Sequence, residues 1–475
     1  MIPLLTAQDM RDLEADAIQG WGVPSLVLQE HAALGALDLL PASGPLHVLA
    51  GPGNNGGDAL ALARLARLRG RAVDVWVLEG VPAWKGDAAL QARLWEGIGG
   101  TYRMADHPQA AVEGFAGWVV DGLFGLGARP PLRGAAAAWA GALAGHPRIL
   151  ALDLPSGLDP SAAEVPGPVI PAARTAAFGR LKVCHGLRPA RDLCGAISVV
   201  PIPLRGEGPC ALRLLEAPAP RAPRWDTHKG EAGHLAIRAG SRGMAGAAVL
   251  AALGALRMGA GLVTVFCDAE VRAEVAGQVP EAMVRPWEGA LPAGFTALVA
   301  GPGGIAEVPA WEGPLVLDAS ALQPGEGPRW LARPGTVLTP HPGEFNRLFP
   351  GAAPLGRGPD ARIARVREVA DGPGVLVLKG AQTLVAGGGL AEVWANPTGH
   401  PGLGTGGAGD FLAGMVGARG AQAAAAGGDL RAAAAEAVWL HGAAADRLGP
   451  GPILIRELGE ALAALLRTLH GGPHD

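Results

Sequence analysis

Lysine is nearly missing from this chain. Only four of its 39 basic residues are lysine, at Lys85, Lys182, Lys229 and Lys379, and the remaining cations are arginine. A lysine in such a chain is more apt to be specifically required, although for Lys85 and Lys182 a surface position is the simpler reading. Cysteine is scarce as well. Cys184, Cys194, Cys210 and Cys267 show no CxxC spacing, which argues against both a zinc site and a disulfide framework. No apolar run, residues 244–256 included, reaches the roughly 20 residues that span a bilayer. There is no basic stripe or basic-aromatic patch, and the net charge is only −4, so nucleic acid is not an expected partner. The opening MIPLLTAQDMRDLEADA turns acidic and helical at once, unlike a signal peptide. These absences together describe a soluble, reduced, cytoplasmic protein.

What is present is apolar residue and glycine. With 475 residues, 49% of them hydrophobic, two domains are expected, or three. Glycine is so frequent, 74 residues, that G-x-G-x-x-G should arise by chance about twice, the known hazard of short motifs. Glycine spacing alone therefore decides nothing.

Short β-branched runs alternate with Ala/Leu/Arg segments of helical period, the pattern of α/β architecture with parallel sheets. Strands are expected at 46–50, 72–80, 117–122, 148–155 and 196–203, and helices at about 6–19, 25–40, 58–69, 86–97 and 134–145. The Pro/Arg/Gly-rich stretch from residue 204 to 226 reads as a linker. A second series follows, with strands at 233–240, 262–267, 295–303, 314–320, 336–344 and 374–380, then a hairpin of TLVAG and AEVWANP. Helices near 408–420, 430–448 and 455–469 close it. The expected domains are residues 1–210 and 220–475.

In each series the unusual residues follow strands, where open α/β sheets bind ligands. The first lip comprises Asn54, Asn55, Asp58, Asp121, Asp153, Ser156 and Asp159. An oxygen-rich lip of this kind suits a hard cation or an acid/base site, and ordinary Asx turns are the competing reading. Asp58, placed at the first turn of the next helix, would compete with a pyrophosphate for the same N–H donors. That disfavours an NAD-dependent dehydrogenase.

The motifs GPGNNGGD, DGLFGLGARPPLRG and DLPSGLD, between residues 51 and 159, resemble the N-terminal domain of NAD(P)H-hydrate epimerases, as does the preceding RDLEADAIQGWGVPSLVLQEHAA. The resemblance implies a potassium-assisted epimerase acting at ring carbon 6 of hydrated NADH or NADPH. Asn55, Asp121 and Ser156 would hold potassium. Asn54, Asn55, Gly56, Gly57 and Asp58 would bind substrate, together with Gly125, Leu126, Gly127, Ala128, Arg129, Pro130 and Pro131. Asp153 would contact the hydrated ring and move the proton. Ala59, Leu126 and His31 stand where that family usually has Gly, Thr and Asn.

The second site centres on NPTGHPGLGTGGAGDFLAG, residues 396–414. Successive N–H groups before a helix form an anion-binding concavity, and Asp410 stands ready as the base for a phosphoryl acceptor. A capped glycine-rich loop is the bland alternative. With residues 225–265, AGPGG, LTPHPGEF and KGAQT in the same order, the chain resembles the ribokinase-like NAD(P)H-hydrate dehydratases over nearly all of 225–465. The implied nucleotide site is Lys379, Gly380, Ala381, Gln382 and Thr383 with His400, Pro401, Gly402, Leu403, Gly404, Thr405, Gly406, Gly407, Ala408 and Gly409. Ala247, Gly303, His341 and Asp410 would contact the hydrated nucleotide. His400 and Ala408 replace the usual Asn and Ser or Thr.

The expected fold is thus α/β, with two three-layer domains: an N-terminal Rossmann-like doubly wound sheet and a C-terminal ribokinase-like sheet. The expected ligands are potassium, NAD(P)HX and ADP or ATP with magnesium, ADP being the usual form in prokaryotic relatives. A homo-oligomer without membrane or nucleic-acid partners is expected. Two alternatives stand beside this reading: a ribokinase-class small-molecule kinase with a regulatory domain, and a non-catalytic nucleotide- or RNA-associated first domain.

Overall fold

The computed structural model describes residues 1–78, 83–104, 107–219, 232–351, 354–356 and 358–469. The chain divides into two compact units, Ile2–Leu212 and Arg213–Asp475.

The first unit runs α1 (Ala7–Ala15), α2 (Ser25–Asp38), β1 (Leu46–Ala50), α3 (Asn54–Leu68), β2 (Val73–Val77), α4 (Gly86–Gly97), β3 (Tyr102–Met104) and β4 (Trp118–Gly122). It continues with α5 (Gly134–Leu143), β5 (Ile149–Leu152), β6 (Arg174–Phe178) and β7 (Ala196–Val200). Its seven-stranded sheet has the order β3-β2-β1-β4-β5-β6-β7, with every pairing parallel. Alternate side chains of β1 enter two cores. Leu46, Val48 and Ala50 pack with α2, α3 and Trp95, while Leu49 packs with Trp139 on the opposite face. Covering both faces is why LHVLA is apolar throughout. The strand order reverses between β1 and β4, which opens a crevice at their C-terminal ends.

The second unit contains β8 (His234–Arg238), α6 (Ala245–Arg257), β9 (Leu262–Cys267), β10 (Met283–Pro286), β11 (Ala297–Ala300), β12 (Leu315–Leu317) and β13 (Thr336–Leu338). Then come α7 (Pro342–Leu348), α8 (Pro359–Val369), β14 (Val375–Leu378), β15 (Leu384–Gly387), β16 (Leu390–Ala395), α9 (Ala408–Ala426), α10 (Leu430–Leu448) and α11 (Ile455–Leu469). These strands follow the order β16-β15-β14-β13-β12-β11-β8-β9-β10. Pairings from β14 to β10 are parallel, and the β14-β15-β16 pairings are antiparallel. Helices α6, α9, α10 and α11 bury one core against the sheet. Here the order reverses between β8 and β11.

Several boundaries differ from expectation. Helix α3 starts at Asn54, four residues before the expected start, with Gly53 as its N-cap. Asp58 therefore sits in the second turn, neither capping the helix nor competing for its first N–H groups. Residues 336–344 are not one strand: β13 ends at Leu338, and Pro342 opens α7 with His341 as N-cap. The expected 148–155 strand stops at Leu152 and the 196–203 strand at Val200. The RTAAF strand β6, the YRM strand β3 and the MVRP strand β10 escape the sequence reading. They carry few or no β-branched residues. Residues 79–80 of one expected strand, Lys229 and residues 220–226 of the expected linker lie outside the described residues.

Candidate active sites

The first site is assembled at the ends of β4, β5 and β6. Asp121, the penultimate residue of β4, is wholly buried. Its carboxylate accepts from the Ser156 amide at 2.8 Å, the Ser156 hydroxyl at 2.7 Å and the Leu123 amide at 3.3 Å. Burial raises its pKa to about 6 against the lowering effect of these bonds. Asn55, in the first turn of α3, donates Nδ2 to the Leu152 carbonyl at 3.2 Å, while its Oδ1 is buried without a partner. Ser156 Oγ also accepts from the Phe124 amide at 3.1 Å. Asn55, Asp121 and Ser156 thus converge around the β4–β5 ends.

Asp153 follows β5 with φ +66°, a left-handed backbone rare outside glycine. Its amide donates to Ala176 O at 2.9 Å, and its carboxylate accepts from the Phe178 amide at 3.3 Å and from Lys182. Lys182 is fully buried, not on the surface as expected, and it also donates to the Phe178 carbonyl at 2.7 Å. His185 is buried next to it and accepts from the Lys182 amide at 3.1 Å. Two further carboxyls are electrostatically coupled to this group. Burial, reinforced by the charge of Asp153, raises Glu14 of α1 to about 7 and Asp58 well above the carboxylate range. Asp159 has a local job, accepting from the Ser161 amide at 2.8 Å in an Asx turn.

The glycines of the opening loop have a steric reason. A Cβ on Gly51 would meet Leu123 O at 1.9 Å, and one on Gly56 would meet Gly51 O at 1.8 Å. The loops after β1 and β4 touch backbone to backbone, and they frame the crevice. Gly53, third in the same pattern, meets nothing within 4 Å. Trp84 fastens the loop by donating to Gly51 O at 2.8 Å.

In the second unit, Lys379 follows β14 and donates to Asp318, at the end of β12, at 2.5 Å. The same Asp318 oxygen accepts from Thr339 at 2.9 Å. The GAGD turn abuts this pair: a Cβ on Gly409 would lie 3.2 Å from Lys379 Nζ and 3.9 Å from Asp318 Oδ2. Asp410 stands in the first turn of α9. Burial raises it to about 6, Asp318 and Glu344 push the same way, and Lys379 opposes them. Across the crevice, Gly303 packs against α6, its Cβ direction 2.9 Å from Ala247 Cβ. His341 Nδ1 accepts from the Gly343 and Glu344 amides at 3.0 and 3.4 Å, and Glu344 accepts from the His341 amide at 2.8 Å. Beneath the turn, His441 is buried and bonded to the Ala408 backbone, and burial lowers its pKa to about 4.

Lys182, Glu14, Asp318 and Glu344 are absent from the sequence-derived site. The signal for Lys182 was the scarcity of lysine. Asp318 ends a short apolar strand, as Asp121 nearly does. Glu14 lies in the RDLEADA stretch, where the acidic neighbours Asp12 and Asp16 leave it without a distinguishing mark.

Comparisons with known proteins agree with this division. A family model described as YjeF-related protein N-terminus matches residues 25–184, and one described as NAD(P)H-hydrate dehydratase matches residues 235–454. The bifunctional NAD(P)H-hydrate repair enzyme Nnr of Gloeobacter violaceus is 37% identical over 97% of this chain and 96% of its own length. The chain belongs to the family of bifunctional NAD(P)H-hydrate repair enzymes. The Coxiella burnetii member is 34% identical over 94% of this chain and 95% of its own. Among solved structures, the Bacillus subtilis ADP/ATP-dependent NAD(P)H-hydrate dehydratase co-crystallized with ATP/Mg2+ is 28% identical. It covers 52% of this chain and 93% of its own, with a TM-score of 0.41.

As a member of this repair family, the chain accommodates its unusual residues locally. Ala59 is fully buried, facing Gly122, where a Cβ would come within 2.4 Å of its methyl. Leu126 joins the cluster of Leu5, Met10 and Leu13. His31 is exposed and turns Nδ1 back to Val27 O at 2.8 Å. His400 braces its loop, accepting from the Gly402 amide at 3.1 Å and reaching Ala445 O at 3.0 Å.

Proposed function

We propose that this chain repairs hydrated NADH and NADPH in two steps. Residues 1–210 interconvert the R and S epimers, and residues 220–475 dehydrate the S epimer at the expense of ADP or ATP. The reading is carried by full-length similarity to bifunctional repair enzymes, with a carboxylate retained at the mouth of each sheet.

In the first site, Asp153 is the proton-transfer group. Lys182 is paired with it, and the backbone bonds to Ala176 and Phe178 fix its direction. The Asn54–Asp58 and Gly125–Pro131 loops bind the dinucleotide. Potassium fits the set Asn55, Asp121 and Ser156. Asn55 Oδ1 is an orphaned buried oxygen, Asp121 is a buried carboxylate with no cationic partner among its bonds, and all donors are hard oxygens. When bound, the ion would supply positive charge next to the substrate's oxygens.

In the second site, Asp410 takes the proton of the ring hydroxyl as its oxygen attacks the terminal phosphoryl group. The bond to the leaving nucleotide breaks, and the glycine amides of residues 404–409 and Lys379 hold the transferred charge. Phosphate then departs from carbon 6 with the C–O electron pair, assisted by the ring nitrogen. Loss of a proton from carbon 5 restores the dihydronicotinamide. Hydroxide, a poor leaving group, is thereby exchanged for phosphate. Magnesium would accompany the nucleotide phosphates, with Asp318 and Asp410 the nearest carboxylates to the turn.

No helix among the described residues is long and apolar enough to cross a membrane, and a cytoplasmic location is proposed. A homo-oligomer is proposed as well, to be checked by light scattering. The functional test is NADH recovery from mixed NADHX epimers with ADP or ATP. Stoichiometric build-up of a phosphorylated product would indicate a kinase instead.

A further inference from the structure

We infer that Glu14 is the second proton-transfer group of the first site, the acid that works opposite Asp153. The inference rests on the epimerase reading of that site. Glu14 lies on α1, ahead of the crevice loops in sequence, and α1 is laced to the crevice on both sides. The Leu5 amide donates to Leu181 O at 2.9 Å and the Val183 amide to Leu5 O at 3.1 Å, tying the start of the helix to the segment that carries Lys182. One turn on, Arg11 donates to Leu126 O at 2.9 Å, in the loop expected to bind substrate. Met10 packs on Gly179, whose Cβ direction comes within 3.0 Å of its methyl. Glu14 follows Met10 by four residues and Arg11 by three, so it shares their face of the helix. Asp153 and Lys182 act on Glu14 electrostatically together with Arg11, and Glu14 in turn acts on Asp58. Burial and the charge of Lys182 lower the pKa of the neighbouring His185.

Of the four groups, Lys182 and Asp153 form an ion pair, and burial raises the carboxyls of Glu14 and Asp58. Lys182 donates to Asp153, and at Glu14 the lowering effect of Lys182 and Arg11 is outweighed by burial. With its pKa raised to about 7, Glu14 can both release and recover a proton near neutrality, as general acid catalysis requires. Burial also raises Asp58, and Asp153 and Glu14 push it the same way. The reaction needs such a pair. Asp153 takes the proton of the carbon-6 hydroxyl, the C–O bond becomes a carbonyl, and the C6–N1 bond breaks. Its electron pair goes to N1, which receives the proton of Glu14. Rotation about C5–C6 presents the other carbonyl face. N1 attacks it, Glu14 recovers its proton and Asp153 returns the other. No oxidant, water or other co-reactant is consumed.

The test is epimerisation by the full chain, followed as interconversion of purified NADHX epimers across pH 5–9 in wild type, Glu14→Gln, Glu14→Asp and Asp153→Asn. Wild-type kcat should fall as pH rises through about 7, where Glu14 loses its proton. Glu14→Gln should lower kcat by about 10²–10⁴, with a small change in KM and no limb near pH 7. Glu14→Asp should recover part of the rate and a limb. Glu14→Gln should fold, because burial already favours the neutral form, and a wild-type urea-unfolding transition of the first unit confirms that it has. A Glu14→Gln enzyme with wild-type kcat and an intact limb, alongside an inactive Asp153→Asn, overturns the role of Glu14 alone. Full activity in Asp153→Asn overturns the reading of the site itself.

Discussion

Lys182 and Lys379 play parallel parts in two unrelated sheets. Each follows a strand, and each pairs its ammonium with a carboxylate that follows another strand of the same sheet. The scarcity of lysine pointed to both, but a surface reading was the simpler one for Lys182, and burial shows otherwise. Lys85 is exposed. Removing Lys182 as Met leaves Asp153 buried and unpaired, which should destabilise the first unit by about 3–5 kcal/mol. A second change, Asp153→Asn, should restore part of that loss in urea unfolding. At Asp410 the expectation concerns rate. A base with pKa raised to about 6 must be deprotonated, so dehydration should rise with pH and level off above about 6. Asp410→Asn should lower kcat by about 10²–10⁴ while nucleotide binding, read by calorimetry, persists.

At the scale of elements, legibility followed local chemistry. The apolar β-branched strands LHVLA and LVTVFC, and helices α10 and α11, lie where the sequence placed them. Strand β6 was not legible, because RTAAF owes its place to the parallel neighbours β5 and β7 and not to its own propensity. The start of α3 was misjudged because its first turn is Asn-Asn-Gly-Gly, a sequence that reads as a loop. Its glycines, uninformative by frequency, turn out to be sterically demanded at Gly51 and Gly56. Gly56→Ala would force the loop apart and should cost about 1–3 kcal/mol in urea unfolding, together with most of the epimerase rate. The motif residues of both lips were visible in sequence. Their helpers were not, since Glu14 and Asp318 acquire significance only when α1 and β12 deliver them to a strand end.

For the whole molecule, two compact units with one lip each imply two separable activities. Asp153→Asn should stop enzymatic epimerisation and spare dehydration of the S epimer, and Asp410→Asn should do the reverse. An equal mixture of the two variants should then repair both epimers, because the intermediate is a freely diffusing nucleotide. The most direct measurement gives the purified chain mixed NADHX epimers, potassium, magnesium and either ADP or ATP, and follows the near-ultraviolet absorbance of NADH. The predicted result is recovery that continues past the S fraction to near completion, faster than spontaneous epimerisation allows. No recovery with either nucleotide would contradict the proposed function.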